Sequence, residues 1–135
     1  MACTKAFYPL VTLGAALLLT ASVAAADPTS FDQALAAAKA NVETPEGEKY
    51  DTDFGKQFGE RYVDTMVRCT TGVAEADFAR FDLLIRVSRD GSVEGALVQP
   101  NTKVASCLRR EVVKGKFLRP PRGSYWVRIE MSLTP

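Results

Sequence analysis

The sequence predicts an α+β fold in which two amino-terminal helices precede a ββαβ unit built on a small antiparallel sheet. Three observations predict it. Phe81, Leu83, Ile85 and Val87 alternate with Asp82, Leu84, Arg86 and Ser88, and Tyr125, Val127, Ile129, Met131 and Leu133 alternate with Trp126, Arg128, Glu130 and Ser132. Period-two alternation marks a strand that buries one face. Val104, Cys107, Leu108 and Val112 recur instead at helical spacing, as do Phe58, Tyr62, Met66 and Cys69 further upstream.

Residues 1–26 have the pattern of a secretory signal peptide. Lys5 and the amino terminus supply positive charge, residues 11–19 an apolar run, and Ala24-Ala25-Ala26 the small-residue motif for cleavage. The mature chain would begin at Asp27. Left uncleaved, the uncharged stretch between Lys5 and Asp27 has about the length of a bilayer-spanning anchor, weakened by Thr12, Gly14, Thr20 and Ser22. After cleavage no stable membrane span is expected. Cys3 precedes the apolar run, where a lipid-bearing cysteine cannot lie.

Residues 27–52 are expected to hold one helix and a polar linker. Ser30 and Gln33 form a capping-box pair, and Phe31, Leu35 and Ala38 share one face of a helix over residues 30–41. That stripe is thin, so weak docking is expected. Thr44-Pro45-Glu46-Gly47 among charges reads as linker over residues 43–51. Residues 53–135 are expected to form the main domain. Its first element is a helix over residues 53–69, with Val63 widening the apolar face and Gly72 as the stop signal.

The first strand ends in Arg89-Asp90-Gly91-Ser92, where Asp suits the turn and Gly supplies positive φ. Residues 93–99 return as its partner. Pro100 ends that strand, and Asn101 or Thr102 caps the following helix. Gly115 terminates it. Phe117 and Leu118 should tuck under the sheet before Pro120-Pro121 redirect the chain into a last strand over residues 125–133. The expected result is a three-stranded meander backed by a helix, with the last strand as an open rim.

Cleavage of the signal leaves two cysteines, Cys69 and Cys107, and in an exported protein such a pair reads as a disulfide. The competing reading is a redox-active or metal-binding pair. It has little to stand on, because there is no C-x-x-C spacing and no histidine. No cofactor and no metal is expected.

Charge divides the chain. Residues 27–82 carry twelve acids and six bases, and residues 83–135 four acids and ten bases. Arg109, Arg110, Lys114, Lys116, Arg119 and Arg122 could form a basic face for an anionic envelope component. The favoured reading is instead that the acidic helices pack near the basic unit and leave a solvated neutral surface, since charge runs are usually wet faces. Nucleic acid is a poor partner for an exported chain of near-zero net charge.

The run FDLLIRVSRDGSVEGALV, then VASCLRREVVKGKFLRPP, then YWVRIEMSL resembles the carboxyl-terminal domain of TonB and its relatives. It is closest to the branch with one cysteine before the first strand and another in the helix, the places of Cys69 and Cys107. The resemblance covers roughly residues 58–133. It implies a small periplasmic binding domain that engages partners by adding a strand to a sheet edge, here the last strand. The chain departs from TonB in lacking a long proline-rich spacer and the tyrosine-proline signature that begins its domain, which puts energy transduction to outer-membrane receptors in doubt.

The leading expectation is therefore a protein- or peptide-binding module of the cell envelope, with Tyr125, Trp126, Arg128 and Glu130 as partner-binding residues. Trp126 has a second reading, packing on the amino-terminal helices. The alternative function is a polyanion-binding envelope protein that uses the basic helix face. An enzyme is not expected: Ser106, Ser124 and Lys103 belong to no catalytic constellation. The sequence sets no oligomeric state.

Overall fold

In the computed structural model, which describes residues 30–135, the stretch with the most two-sided apolar character becomes the central strand, β1 (Phe81–Val87). Its Phe81, Leu83, Ile85 and Val87 enter the main core, while Leu84 on the opposite face is also fully buried. β2 (Val93–Gln99) and β3 (Tyr125–Met131) flank it, both antiparallel to it. The α+β class and the limits of the first two strands agree with the sequence reading, whereas β3 stops at Met131, two residues short of the expected end at residue 133. The order differs: it is β2-β1-β3, not a meander. A strand that buries both faces is best placed in the middle. The long connection through α3 (Lys103–Val112) lets the chain cross from β2 back to the far side of β1.

The hairpin joining β1 and β2 is set by Asp90. Its carboxylate accepts from the Ser92 backbone N–H at 2.9 Å, from the Ser92 hydroxyl at 2.9 Å and from the Ser88 hydroxyl. These donors hold its carboxyl well below the usual carboxylate range. Gly91 follows with φ +91°, and a Cβ there would lie 2.1 Å from the Phe117 carbonyl oxygen. Glycine is needed both for the turn and for that close approach.

α2 (Pro45–Thr70) corrects the expected linker. The Thr44 hydroxyl accepts from the Gly47 N–H at 3.1 Å, and Pro45 sits at the first helical position, where its missing N–H costs nothing. The expected boundary between residues 52 and 53 falls inside this continuous helix. Its buried face therefore starts earlier and runs Tyr50, Phe54, Phe58, Tyr62, Thr65 and Cys69. Phe117 stacks on it, with ring centroids 4.2 Å from Phe54 and 5.9 Å from Tyr62. Val63 does not widen that face. It is 52 % exposed.

α1 (Phe31–Asn41) also departs from expectation. The capping box of Ser30 and Gln33 is formed. The buried positions are Ala34, Ala38 and Asn41, with Phe31 and Leu35 at the margin. Small side chains let the helix axis approach the sheet, where Ala34 and Ala38 cover Leu84 and Trp126. Thus α1 covers one face of the sheet, and α2 with α3 covers the other. The α1–α2 corner passes between the faces at the start of β3. There Asn41 contacts Trp126, and a Cβ on Gly47 would lie 1.7 Å from the Asn41 carbonyl oxygen.

Cys69 at the end of α2 and Cys107 in α3 are joined by a disulfide, with an S–S distance of 2.03 Å and Cα atoms 5.6 Å apart. The signal-peptide region lies outside the described residues. No described helix is long and apolar enough to cross a membrane.

Candidate interaction surface at the sheet edges

Helices cover both faces of the sheet, and among the described residues no further strand pairs with the outer sides of β2 and β3. On β3, Tyr125 and Trp126 are not surface residues: they are 2 % and 5 % exposed. The Tyr125 hydroxyl donates to the Asn41 carbonyl at 3.2 Å, and its ring meets Tyr50 edge-on at 5.0 Å. Trp126 lies under α1, the second of the two readings its sequence position allowed. Its indole N–H is buried and has no acceptor among the described residues.

Arg128 and Glu130 do reach the surface of β3, but their charges are engaged. Arg128 Nε lies 2.9 Å from Asp82 Oδ1 and its Nη2 3.2 Å from Glu130 Oε2, and Glu130 also pairs with Arg80. The register sets Asp82 opposite Glu130 and Leu84 opposite Arg128, so the arginine reaches Asp82 diagonally across the strand pair and Glu130 two residues along its own strand. Beside them a hollow of about 220 Å³ is lined by Ala38, Lys39, Val42, Asp51, Arg128 and Glu130. Burial pushes the Asp51 carboxyl up. The expected open rim is thus closed at its start by the α1–α2 corner and lined further on by paired charges.

β2 is different. Its first residues are tied to the segment after α3: the Val93 N–H donates to the Gly115 carbonyl at 3.3 Å, the Phe117 N–H donates to the Gly91 carbonyl at 2.8 Å, and Ser92 bridges Lys116. Beyond that tie, Leu97 and Val98 are half-buried and Gln99 is exposed. A groove of about 270 Å³ runs here between Phe31, Leu97, Val98, Asn101 and Arg109. The Asn101 side-chain oxygen accepts from the Ser106 hydroxyl at 2.5 Å. Arg109 Nε is buried and has no acceptor among the described residues.

Phe31, Leu97 and Asn101 were not singled out from sequence as binding residues. The available signal was Leu97, an apolar residue on the parity opposite to Ala96 and Val98.

The six basic residues do not form one face. Lys114 pairs with Glu111 at 2.9 Å, Lys116 approaches Asp90 at 3.9 Å, and Arg122 is bonded to Asn41 with its guanidinium 5.4 Å above the Tyr125 ring. Arg119 lines a hollow with Glu46 and Asp53. Arg110 lies beside the disulfide, where Arg68, Lys103, Asn101 and Ser106 line a hollow of about 410 Å³. The Lys103 ammonium there is 3.8 Å from Asp77, whose carboxylate also caps α3 through the Lys103 N–H at 3.1 Å.

No family model, no curated protein and no solved structure matches this chain.

Proposed function

We propose that this chain is an exported, periplasmic binding module that recruits a protein or peptide of the cell envelope by strand addition, and that it is not itself catalytic. One observation carries the reading. Among the described residues the sheet has three strands, and its two outer strands of seven residues each have no strand partner on their outer sides along most of their length. Unpaired strand edges are templates for an added strand, and with helices on both faces the edge is where the sheet remains available. The Cys69–Cys107 disulfide fits a non-cytoplasmic compartment. The signal-peptide pattern and the resemblance to TonB carboxyl-terminal domains point to the same place. The polyanion reading has less support, because Lys114, Lys116 and Arg122 already have partners.

Photo-crosslinking in intact cells tests the reading. A benzophenone amino acid at Gln99 on β2 or Glu130 on β3 should give discrete adducts, whereas the same group at Lys56 or Glu60 on the exposed side of α2 should not. Adducts from the α2 positions alone would reject strand addition.

A further inference from the structure

The two edges are not equivalent, and β2 has the more complete recognition surface. A strand laid beside β2 sends its side chains alternately to the two faces of the sheet. On the face of α1, they would meet Phe31 and Leu97, both half-buried and apolar. Leu97 pairs with Leu84 in the register, which fixes it to that face. On the face of α3, they would meet Val98, Asn101 and Arg109. Ala96 pairs there with Ile85, in the core that α3 covers.

Arg109 supplies the charge. Its Nε is buried without an acceptor, and no ion pair reaches its side chain among the described residues. The acid on β2, Glu94, is taken by Arg86 at 3.0 Å. A partly buried guanidinium with no acidic partner favours a carboxylate over any neutral group, because charge-assisted hydrogen bonds are the stronger ones. The tie between residues 92–93 and 115–117 marks where an added strand must stop.

We propose that residues 95–99 take up an extended acidic peptide as a fourth strand, its apolar side chains facing Phe31 and Leu97 and a carboxylate held by Arg109. This rests on the strand-addition reading above, and it assigns the site to the edge opposite the one the TonB resemblance implies.

The probe is a synthetic octapeptide of alternating valine and glutamate, compared with one of alternating valine and lysine, added to the full, disulfide-bonded protein. The glutamate peptide should shift the backbone amide resonances of residues 95–99. Its affinity should fall about tenfold in Arg109→Gln and be unchanged in Arg110→Gln, which removes the same charge from the same helix. The lysine peptide should bind at least about tenfold more weakly. A thermal midpoint unchanged in Arg109→Gln shows that the loss is not unfolding. Shifts confined to Tyr125–Met131 would overturn the assignment to β2 and leave strand addition standing. Shifts at β2 with equal affinity for both peptides, or equal effects of the two arginine variants, would overturn the acidic preference. No shift at either edge with either peptide would remove the inference and the strand-addition reading together.

Discussion

Asn41 Nδ2 donates a 2.9 Å hydrogen bond to the Trp126 carbonyl oxygen, across 85 positions of sequence. The same asparagine accepts from the Tyr125 hydroxyl through its carbonyl and from Arg122 through its side-chain oxygen. One buried amide therefore fastens the end of α1 to the start of β3 and holds the corner that leads into α2. Asn41→Ala leaves a backbone acceptor and a guanidinium without this partner, at a cost of about 1–3 kcal/mol. Urea titration should show the midpoint falling with little change in slope, and a loss within error of zero would mean that the corner is held by packing alone.

Trp126, the chain's single tryptophan, offers a sharper comparison. It is enclosed by Ala34, Ala38 and Leu84, yet its indole N–H has no acceptor among the described residues. Removing the ring in Trp126→Ala opens a cavity and should cost about 3–5 kcal/mol. Trp126→Phe keeps most of the apolar volume and deletes the unpaired donor, so its cost should stay below about 1.5 kcal/mol. Equal costs for the two variants, measured by denaturant unfolding, would show that the N–H is satisfied after all.

Much of this arrangement was legible in the sequence, for a definite reason. The alternation in β1 and β3, the Asp90-Gly91 turn and the helical spacing through Leu108 are local patterns enforced by one buried face each. Three features were not legible. Thr44-Pro45-Glu46-Gly47 has linker composition, but the same residues are a cap and first turn; composition does not distinguish the two. The docking of α1 depends on Ala34 and Ala38 being small, which reads as a weak stripe although smallness is what allows close approach. Sheet order depends on which strand the α3 connection reaches, and only the extra apolar residue Leu84 hinted that β1 is central. Trp126 has an outward parity, but outward from one face of this sheet means under α1.

The disulfide closes a loop between Cys69 and Cys107, separated by 38 positions. In the chain-entropy model this linkage is worth about 4 kcal/mol. The bond joins the two helices on one face of the sheet, so its loss frees the end of α2 and the middle of α3 from each other. Cys69→Ala/Cys107→Ala should lower the thermal midpoint by roughly 15 °C or more, given about 4 °C per kcal/mol for a domain of this size. Adding reductant to the wild-type protein should reproduce the shift, and adding it to the double variant should change nothing. A midpoint that ignores both treatments would show that α2 and α3 are held by their buried side chains alone.

Stability at high pH should be governed by the buried tyrosines. The Tyr50 hydroxyl donates to the Leu118 carbonyl at 3.0 Å, and its pKa is driven well above the ordinary 10.0, first by burial and then by the nearby Tyr125. Burial also raises Tyr62 and Tyr125, against the opposing pull of Arg61 and Arg122 respectively. Because the folded pKa values lie above the unfolded ones, their contribution is intact below a pH of about 10. As pH rises past that value, the unfolded chain releases protons that the folded chain retains, and stability falls by up to about 1.4 kcal/mol per pH unit for each tyrosine still neutral in the folded state. Tyr50→Phe should lower stability at neutral pH through the lost hydrogen bond and make the alkaline decline shallower, since one of the three groups no longer titrates. Denaturant unfolding from pH 8 to 11.5, with tyrosinate absorbance followed in parallel, measures both. A decline as steep in Tyr50→Phe as in the wild type would show that Tyr50 ionises freely in the folded protein, and that its hydroxyl is not enclosed between α2 and the Leu118 carbonyl.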